Sequence, residues 1–298
     1  PYGSISLVNA GFSLALSALQ LPKGRYSMPE LPEVETTLRG ISPTLLNGRI
    51  HKVIVRNRKL RWPIPRDLED KLTGQRVTSL RRRGKYLLIG TDSGTAMLHL
   101  GMSGSLRILD KGSPPEKHDH VDIILQNDKI IRFNDPRRFG SLLWAGATPD
   151  THRLLNNLGP EPLGSEFDGH YLYQAGKGRK VAIKQLIMNS NIVVGVGNIY
   201  ANESLFRAGI RPTRQARRLS KKSYSILASE IKRVLGEAIE MGGTTLKDFH
   251  AADGKPGYFS IRLKVYGRKD EPCTKCSMEI KHLVQAQRAS YYCPNCQS

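Results

Sequence analysis

The chain has 298 residues, enough for about two domains with cores of their own. Its 46 Lys and Arg against 26 Asp and Glu give a formal net charge of +20 at pH 7, which favours a polyanionic partner, nucleic acid or an anionic membrane surface, over a small neutral metabolite. A hydrophobic content of 39% argues against wholesale disorder, and no run approaches the ~18 consecutive apolar residues of a membrane span.

The first 27 residues differ in composition from the rest. They contain no acidic residue, and their only charges, Lys23 and Arg25, follow the apolar stretch, whereas a secretory signal carries its charges before it. The composition is also compatible with an organellar transit peptide. We predict that residues 1–28 are an extension and an initiator methionine that the active protein lacks.

Residues 29–158 predict one helix followed by a β-sandwich. The helix runs from Pro29 to about Leu46, with Val34, Leu38 and Ile41 on its apolar face. Short apolar runs follow, many of them separated by turn residues, and this spacing is typical of an antiparallel sandwich or barrel. The predicted strands are Ile50–Val55, Val77–Leu80, Tyr86–Ile89, Ala96–Leu100, Leu106–Leu109, Val121–Leu125, Ile130–Phe133 and Ser141–Trp144.

The second half is predicted to be helical. Residues 159–165, which contain Gly-Pro-Glu-Pro, form a linker. A helical domain covers residues 166–260 and ends in a long glycine-rich loop that starts at Gly242. Its predicted helices are Val181–Met188, Asn198–Ala208 and Lys221–Met241, the last of them capped by Ser220.

All four cysteines lie in the last 26 residues, within the predicted third unit, residues 261–298. Cys273 and Cys276 form one Cys-x-x-Cys turn and Cys293 and Cys296 a second, which is the spacing of a structural zinc site with four thiolates. Such a closed shell leaves no open position for catalysis. Two disulfides or free thiols are the alternative. A β-hairpin is predicted between the two turns.

Basic residues recur in clusters along both halves. They include Arg81–Arg83 with Lys85, Arg137-Arg138, Lys177–Lys180 and Arg214–Lys222. Most charge runs are solvated faces, but recurrence across two domains favours a groove that follows phosphates. The sequence Gly195-Val196-Gly197-Asn198 precedes a helix, whose N–H groups are able to hold a phosphate.

From Met28 onward the chain resembles the formamidopyrimidine-DNA glycosylase family. The matching motifs, in chain order, are PELPEVE, RRRGKYLL, HLGMSGSLRIL, PPEKHDHVD, NDPRRFG, LGPEPL, VVGVGNIYANESLF, GGTTLKDF, DGKPGYF, VYGR and QRASYYCPNC. Leu31 stands where the related endonuclease VIII branch has glycine, which points to the oxidised-purine branch.

The resemblance implies an α+β multidomain fold: an N-terminal helix plus antiparallel β-sandwich, then a helix–two-turns–helix domain with a zinc-binding β-hairpin. It implies a bifunctional glycosylase and AP lyase of base excision repair. Such an enzyme excises 8-oxoguanine and formamidopyrimidines from duplex DNA and cleaves the strand by β,δ-elimination. We expect one structural Zn²⁺, a monomer, and a cytoplasmic protein associated with the nucleoid.

By the same resemblance, Pro29 is the nucleophile and Glu30 the general acid, whose carboxyl must be protonated to act. Glu33 either raises the pKa of Glu30 or caps the helix. Lys85 matches the lysine of the strand-cleavage step, with a phosphate contact as the alternative. Arg288 matches the arginine of the second elimination.

The target base must leave the duplex, and the resemblance assigns Met102, Arg137 and Phe139 to the void that it leaves. Met102 is otherwise a core residue, although its glycine-flanked loop argues against that. Further DNA contacts are His118, Arg137, Arg179 and Asn198, and Lys247 resembles a residue of the damaged-base pocket.

Three rival functions remain at this point. An endonuclease VIII-like enzyme prefers oxidised pyrimidines. A non-catalytic DNA-binding protein binds duplex without cutting it. A membrane-surface protein prefers anionic vesicles to DNA.

Overall fold

The computed structural model describes residues 29–244 and 262–298. The predicted extension, residues 1–28, and most of the predicted loop, including Lys247, lie outside these ranges. In the described ranges, no helix is long and apolar enough to cross a membrane.

The first helix, α1 (Leu31–Leu45), begins directly after Glu30. Pro32 stands in its first turn, where a missing N–H costs nothing, and the Glu33 carboxylate accepts the backbone N–H of Glu30 at 2.9 Å. Its apolar residues recur every three or four positions and are buried: Leu31, Val34, Leu38, Ile41 and Leu45. Burial of this apolar stripe fixes the orientation of α1, and with it the position of Pro29 and Glu30, which directly precede the helix.

Two four-stranded antiparallel sheets follow α1 in the described part of the chain. One has the order β1-β6-β7-β5 and the other β2-β3-β4-β8. Side chains from both sheets and from α1 share one core, which makes this half a sandwich closed by a helix. The strands are β1 (Ile50–Val55), β2 (Val77–Arg83), β3 (Tyr86–Thr91), β4 (Gly94–His99), β5 (Ser105–Asp110), β6 (Asp119–Leu125), β7 (Lys129–Asn134) and β8 (Ser141–Gly146).

Each predicted strand is present, with shifted ends. The largest difference is β2, which continues through three arginines to Arg83, and all three pair with acids outside the sheet. The short helix α2 (Leu68–Leu72) was not predicted, since a single turn carries too little periodicity to be recognised.

The second half is helical, as predicted. Its helices are α3 (Gly169–Gly176), α4 (Ile183–Ile187), α5 (Asn198–Arg207) and α6 (Lys221–Glu240). Helix α3 was not predicted, although Asp168 caps it by accepting the N–H of Tyr171. The predicted cap of α6 is confirmed, because the Ser220 hydroxyl accepts the N–H of Ser223.

A two-stranded hairpin, β9 (Lys281–Gln285) and β10 (Arg288–Tyr292), closes the chain. Its turn residues Ala286 and Gln287 both have positive φ, as a two-residue hairpin turn requires. The buried carboxylate of Glu203 on α5 accepts the N–H groups of Lys264, Val265 and Tyr266, and this bond set fixes the hairpin unit to the helical core. The expected α+β architecture is confirmed.

Candidate active site

The carboxyl group of Glu30 lies at the N-terminus of α5, where the first half of the chain meets the second. Its Oε1 accepts the N–H of Ile199 at 3.0 Å and its Oε2 accepts that of Tyr200 at 3.5 Å. Glu30 is 2% exposed and Pro29 beside it is buried. Burial raises the pKa of Glu30 to about 7, with the Glu33 charge adding to the rise and Lys85 opposing it.

Two glycines before α5 make this contact possible. A Cβ on Gly197 would stand 2.0 Å from the carboxyl carbon of Glu30, so only glycine leaves room for the acid. Gly195 has a φ of +85° and its carbonyl accepts the N–H of Leu31. The prediction that these helical N–H groups hold a phosphate is wrong for Ile199 and Tyr200, because Glu30 already occupies them.

Glu33 lies directly behind Glu30. Besides the N–H of Glu30, its carboxylate accepts the Tyr200 hydroxyl at 2.6 Å and the N–H of Thr244 at 2.8 Å. It therefore performs both roles that the sequence left open, since it satisfies the helix start and its charge raises the pKa of Glu30. Thr244 is the last described residue before the loop that contains Lys247.

Lys85 is the second residue of the tight turn between β2 and β3, and contacts with three other parts of the chain hold this turn in place. The Glu161 carboxylate accepts the N–H of Gly84 at 2.6 Å and binds the guanidinium of Arg82 at 2.6 Å. Arg82 also binds Glu35 of α1 at 2.9 Å. A Cβ on Gly84, whose φ is +59°, would stand 2.1 Å from a methyl group of Val194, so the turn packs directly on the loop before α5.

The ammonium of Lys85 shares one electrostatic environment with Glu30 and Arg288. Burial lowers the pKa of Lys85, and the Arg288 charge lowers it further, while Glu30 and Glu33 oppose the shift. Arg288 itself is exposed at the start of β10. The structure thus brings together Pro29, Glu30, Glu33, Lys85 and Arg288, which are far apart in sequence.

Lys184 joins this group and was missed in the sequence analysis. It is 1% exposed, and its Nζ donates to the carbonyl of Ala289 at 2.6 Å and to the hydroxyl of Ser290 at 2.7 Å, next to Arg288. Burial lowers its pKa to about 7. A lysine within a helical apolar pattern gives no sequence signal that it faces inward.

Met102, Arg137 and Phe139 lie on two neighbouring turns that a buried carboxylate connects. Asp135 is fully buried and accepts the hydroxyl of Ser103 at 2.8 Å and the N–H of Gly140 at 2.7 Å. The Arg137 guanidinium stacks over the Phe139 ring at 5.1 Å, and Phe139 is 44% exposed. Met102 is half-buried in its turn.

Asp135 also fixes the segment that carries His118. Its N–H donates to the carbonyl of His118 at 3.0 Å, and its own carbonyl contacts His120 Nε2 at 2.8 Å. Next to His118, the buried Asp119 binds Arg107 at 2.6 Å and Asn134 at 2.8 Å. The half-buried His118 is therefore held beside the two turns.

Two further predicted DNA contacts, Asn198 and Arg179, lie in the second half of the chain. Asn198 opens α5, and its buried Oδ1 has no partner among the described residues. Arg179 is exposed after α3, and its carbonyl accepts the N–H of Arg217 at 2.9 Å.

His99 is a second residue that the sequence analysis missed. Its Nδ1 accepts the N–H of Gly101, and its ring packs edge-on against Tyr86 at 4.9 Å. Burial and the nearby charges of Lys85 and Arg61 lower its pKa to about 4, so it is neutral at pH 7. Its position before the motif Gly101–Gly104 was the available signal.

The four cysteines converge as predicted. Their Sγ atoms all lie within 4.8 Å of one another, with Cys273–Cys296 at 3.9 Å and Cys276–Cys293 at 3.4 Å. Four ligands about 2.3 Å from one tetrahedral ion stand roughly 3.8 Å apart, whereas a disulfide brings two sulfurs to about 2.05 Å. The cysteines are free and the arrangement fits a structural metal ion, not two disulfides.

Family models cover most of the described chain. The formamidopyrimidine-DNA glycosylase N-terminal domain matches residues 28–142, and the H2TH domain of the same glycosylase matches residues 158–250. A zinc finger found in FPG and IleRS matches residues 270–298.

Curated relatives and solved structures agree with these matches. The formamidopyrimidine-DNA glycosylase of Stutzerimonas stutzeri is 56% identical over 270 residues, which cover 91% of this chain and 100% of the relative. The Fpg crystal structure from Thermus thermophilus has a TM-score of 0.81 at 37% identity, covering 90% of this chain and 98% of that one. The Lactococcus lactis Fpg in complex with DNA containing an abasic site has a TM-score of 0.84 at 30% identity, covering 91% and 100%.

Proposed function

Because the chain belongs to the formamidopyrimidine-DNA glycosylase family, we propose that it is a bifunctional DNA glycosylase and AP lyase that removes oxidised purines from duplex DNA. The glycosylase activity follows from the family. The lyase activity, the choice of 8-oxoguanine and formamidopyrimidines, and the role of each residue are our proposals.

One observation carries the proposal: an acid with a pKa of about 7 stands directly beside Pro29, at the N-terminus of a helix. In water a glutamic acid is almost fully ionised at pH 7 and is a poor proton donor. Here burial keeps a large protonated fraction at neutral pH, as general acid catalysis requires. A protein that only binds DNA has no need of a buried, protonated carboxyl.

The first step joins Pro29 to the damaged nucleotide. The lone pair of a free proline amine forms a bond to C1′ while the glycosidic bond breaks. The departing base and the ring oxygen of the sugar each take up one proton; Glu30 supplies one, and the amine N–H supplies the other once its nitrogen is bonded to C1′. Cleavage of the bond between C1′ and the ring oxygen then leaves an iminium ion between Pro29 and C1′. The positive end of α5, whose N–H groups bind Glu30, stabilises the carboxylate that remains.

Strand cleavage uses the cations around this centre. The iminium acidifies C2′–H, whose loss expels the 3′ phosphate, and a second elimination expels the 5′ phosphate. We assign Lys85 to the first elimination and Arg288 to the second. The lowered pKa of Lys85 increases its neutral fraction, so this amine is better able to exchange a proton than an exposed lysine.

Met102, Arg137 and Phe139 supply the wedge that replaces the extruded base, since Asp135 holds their two turns together. His118, Asn198 and Arg179 contact phosphates of the DNA backbone, and Lys247 belongs to the pocket for the damaged base.

The division into residues 29–158, 159–165, 166–260 and 261–298 remains our proposal for the domains.

Borohydride trapping on duplex DNA tests the covalent chemistry and the substrate together. With the form that lacks residues 1–28, we expect a trapped adduct with 8-oxoguanine and formamidopyrimidine duplexes, and faster excision of these bases than of oxidised pyrimidines. A strong preference for oxidised pyrimidines supports the endonuclease VIII-like alternative. Tight duplex binding without any adduct supports a non-catalytic protein.

We propose one structural zinc ion at Cys273, Cys276, Cys293 and Cys296, and zinc removal gives a testable outcome. Lys184 and Asn202 of the helical half bind β10. Among the described residues, however, the segment that carries the four cysteines has no sheet other than the two-stranded hairpin. Such hairpins are marginal alone, and metal binding supplies their folding free energy. Chelated, zinc-free protein is expected to lose affinity for an abasic duplex, measured by anisotropy. Holo-like affinity at zero zinc content contradicts this.

Glu161→Gln is expected to slow strand cleavage because the amide cannot bind both arginines and the N–H of Gly84 at once. Small displacements of a reacting group cost up to about 100-fold in rate, so we expect a loss of about 10- to 100-fold in β-elimination at a preformed abasic site. DNA affinity should change little. Glu166→Gln, an exposed neighbour in the same segment, is the matched control. A folded Glu161→Gln protein with an unchanged elimination rate rules out this positioning role.

A further inference from the structure

A second basic feature, outside the proposed catalytic centre, lies where the helical half meets the chain end. We call it the basic cleft. It has a volume of about 450 Å³ and contains three arginines but no acidic side chain; its lining is Arg211, Thr213, Arg214, Gln215, Arg218 and Ser298. Residues 204–229, which supply most of it, contain seven Lys and Arg and no Asp or Glu.

Some exposed arginines of the described surface are paired with acids, such as Arg81 with Asp150 and Arg233 with Glu230. Among the described residues, Arg214 and Arg218 take part in no ion pair, although both are exposed. Arginines gathered in a concave surface that contains no acidic side chain create a local positive potential that attracts an anion.

The cleft is also rigid. Arg211 stacks on the Tyr292 ring at 5.3 Å, and its N–H donates to the carbonyl of Ser298 at 3.1 Å. The carbonyl of Arg214 accepts the N–H of Ile183 at 2.8 Å. A preformed wall loses little conformational entropy when it binds a ligand, whereas a flexible basic tail loses much more.

The cleft continues the surface that carries Arg179. The N–H of Arg217 donates to the carbonyl of Arg179, and Gln215 pairs with Ala182 in a β-bridge. Arg179, Arg217 and Arg218 thus stand on adjoining backbone segments. A duplex presents one phosphate charge for every ~1.7 Å of its axis, so DNA bound at Arg179 continues past further cations if it follows this surface.

From this continuity we infer that the basic cleft binds backbone phosphates of the duplex beyond the nucleotides held at the catalytic centre. The guanidinium fork matches a phosphate group in two parallel hydrogen bonds, and the cleft offers two exposed ones, those of Arg214 and Arg218. The inference rests on the proposed action on duplex DNA and adds a distal contact site to it. The contact is independent of sequence and supports retention on long DNA, not chemistry.

The test compares a 12-bp and a 30-bp duplex that carry the same central abasic-site analogue. Anisotropy titrations over a range of salt give the slope of log Kd against log salt, about 0.9 for each phosphate contact. For the unmodified protein we expect a steeper slope on 30 bp by about two contacts. The variant Arg214→Gln/Arg218→Gln should lose that difference and bind 30 bp about 10-fold more weakly near 0.1 M salt, with 12-bp binding unchanged. Its excision of 8-oxoguanine from a separate 12-bp duplex should also be unchanged.

The matched control is Arg66→Gln/Arg76→Gln, which removes two exposed arginines from the sandwich half. It should keep the length dependence. An unchanged length dependence in the cleft variant overturns the inference, as does equal weakening on both duplexes. If the length dependence is unchanged and the variant loses a binding to polyglutamate that the unmodified protein shows, the cleft is assigned to an acidic polypeptide. If the chain that begins at Pro29 neither traps nor excises, the proposed function itself fails, and the two failures are thereby distinguished.

Discussion

Replacing Glu30 with glutamine is expected to lower the rate of base excision by about 10²- to 10⁴-fold, the usual contribution of a general acid. Glutamine keeps the size of the side chain and an oxygen that is able to accept the N–H of Ile199, so the site should stay folded and bind damaged duplex nearly as tightly. Single-turnover excision of 8-oxoguanine measures the rate, and anisotropy measures the affinity.

The control is Glu240→Gln, an exposed carboxylate at the end of α6. It should excise at the normal rate. On a preformed abasic site the base has already left, so Glu30→Gln should cleave the strand far better than it excises a base. Unimpaired excision by Glu30→Gln eliminates this carboxyl as the essential acid.

The pH dependence follows from two groups. Glu30 must be protonated, and with a pKa of about 7 its protonated fraction falls as the pH rises above that value. A free proline amine must be neutral, and with a pKa of roughly 8 its neutral fraction falls as the pH drops below that value. The profile should therefore be a bell with its maximum between the two values, and Glu30→Gln should lack the alkaline limb.

The same shift has a stability consequence. The pKa of Glu30 rises from 4.5 to about 7 on folding, so the folded state binds the proton more tightly than the unfolded state. The free energy of unfolding is greatest below pH 4.5 on account of this group and decreases as the pH rises through 7, by about 3 kcal/mol. The free energy of unfolding, measured by denaturation, should differ less between pH 6 and pH 8 for Glu30→Gln than for the unmodified protein.

A chain that begins at Pro29 is expected to form the borohydride-trapped adduct, while the 298-residue chain that retains residues 1–28 is expected to form none. In the longer chain Pro29 is joined to Met28 by an amide, whose nitrogen has no available lone pair and, at proline, no hydrogen. Such a nitrogen cannot form an iminium. Intact mass and N-terminal sequencing of the protein from its host identify the form that the cell uses.

Two control proteins make the result specific. A chain that retains only Met28 should behave like the long form, which separates the effect of the blocked amine from the bulk of the extension. Both blocked forms should still bind duplex if the DNA-contacting face is unaffected. Trapping through Pro29 in a chain proven by mass to be full length contradicts the amine mechanism.

Sequence reasoning found the residues that a local pattern carries. The cysteine turns could be identified because ligand spacing is a local property, and Pro29 and Glu30 because they open a motif. Asp135, Glu161 and Lys184 were not singled out, since each acts through contacts with residues distant in sequence that no periodicity encodes. The glycines before α5 were noted, but the anion that they accommodate proved to be Glu30, because chain topology decides which carboxylate arrives there.

Because Glu30 binds the N-terminus of α5, the proposed catalytic centre is formed by both halves of the molecule together. The acid comes from the sandwich half, the dipole and N–H groups that hold it come from the helical half, and the Gly84 turn packs on Val194 across the same boundary. Selection that preserves the chemistry therefore also acts on the residues at the interface between the two halves. Substitutions at this interface should be poorly tolerated even where the altered side chain never approaches DNA. Exchange of one half between distant relatives should succeed only when the interface residues are exchanged together with it.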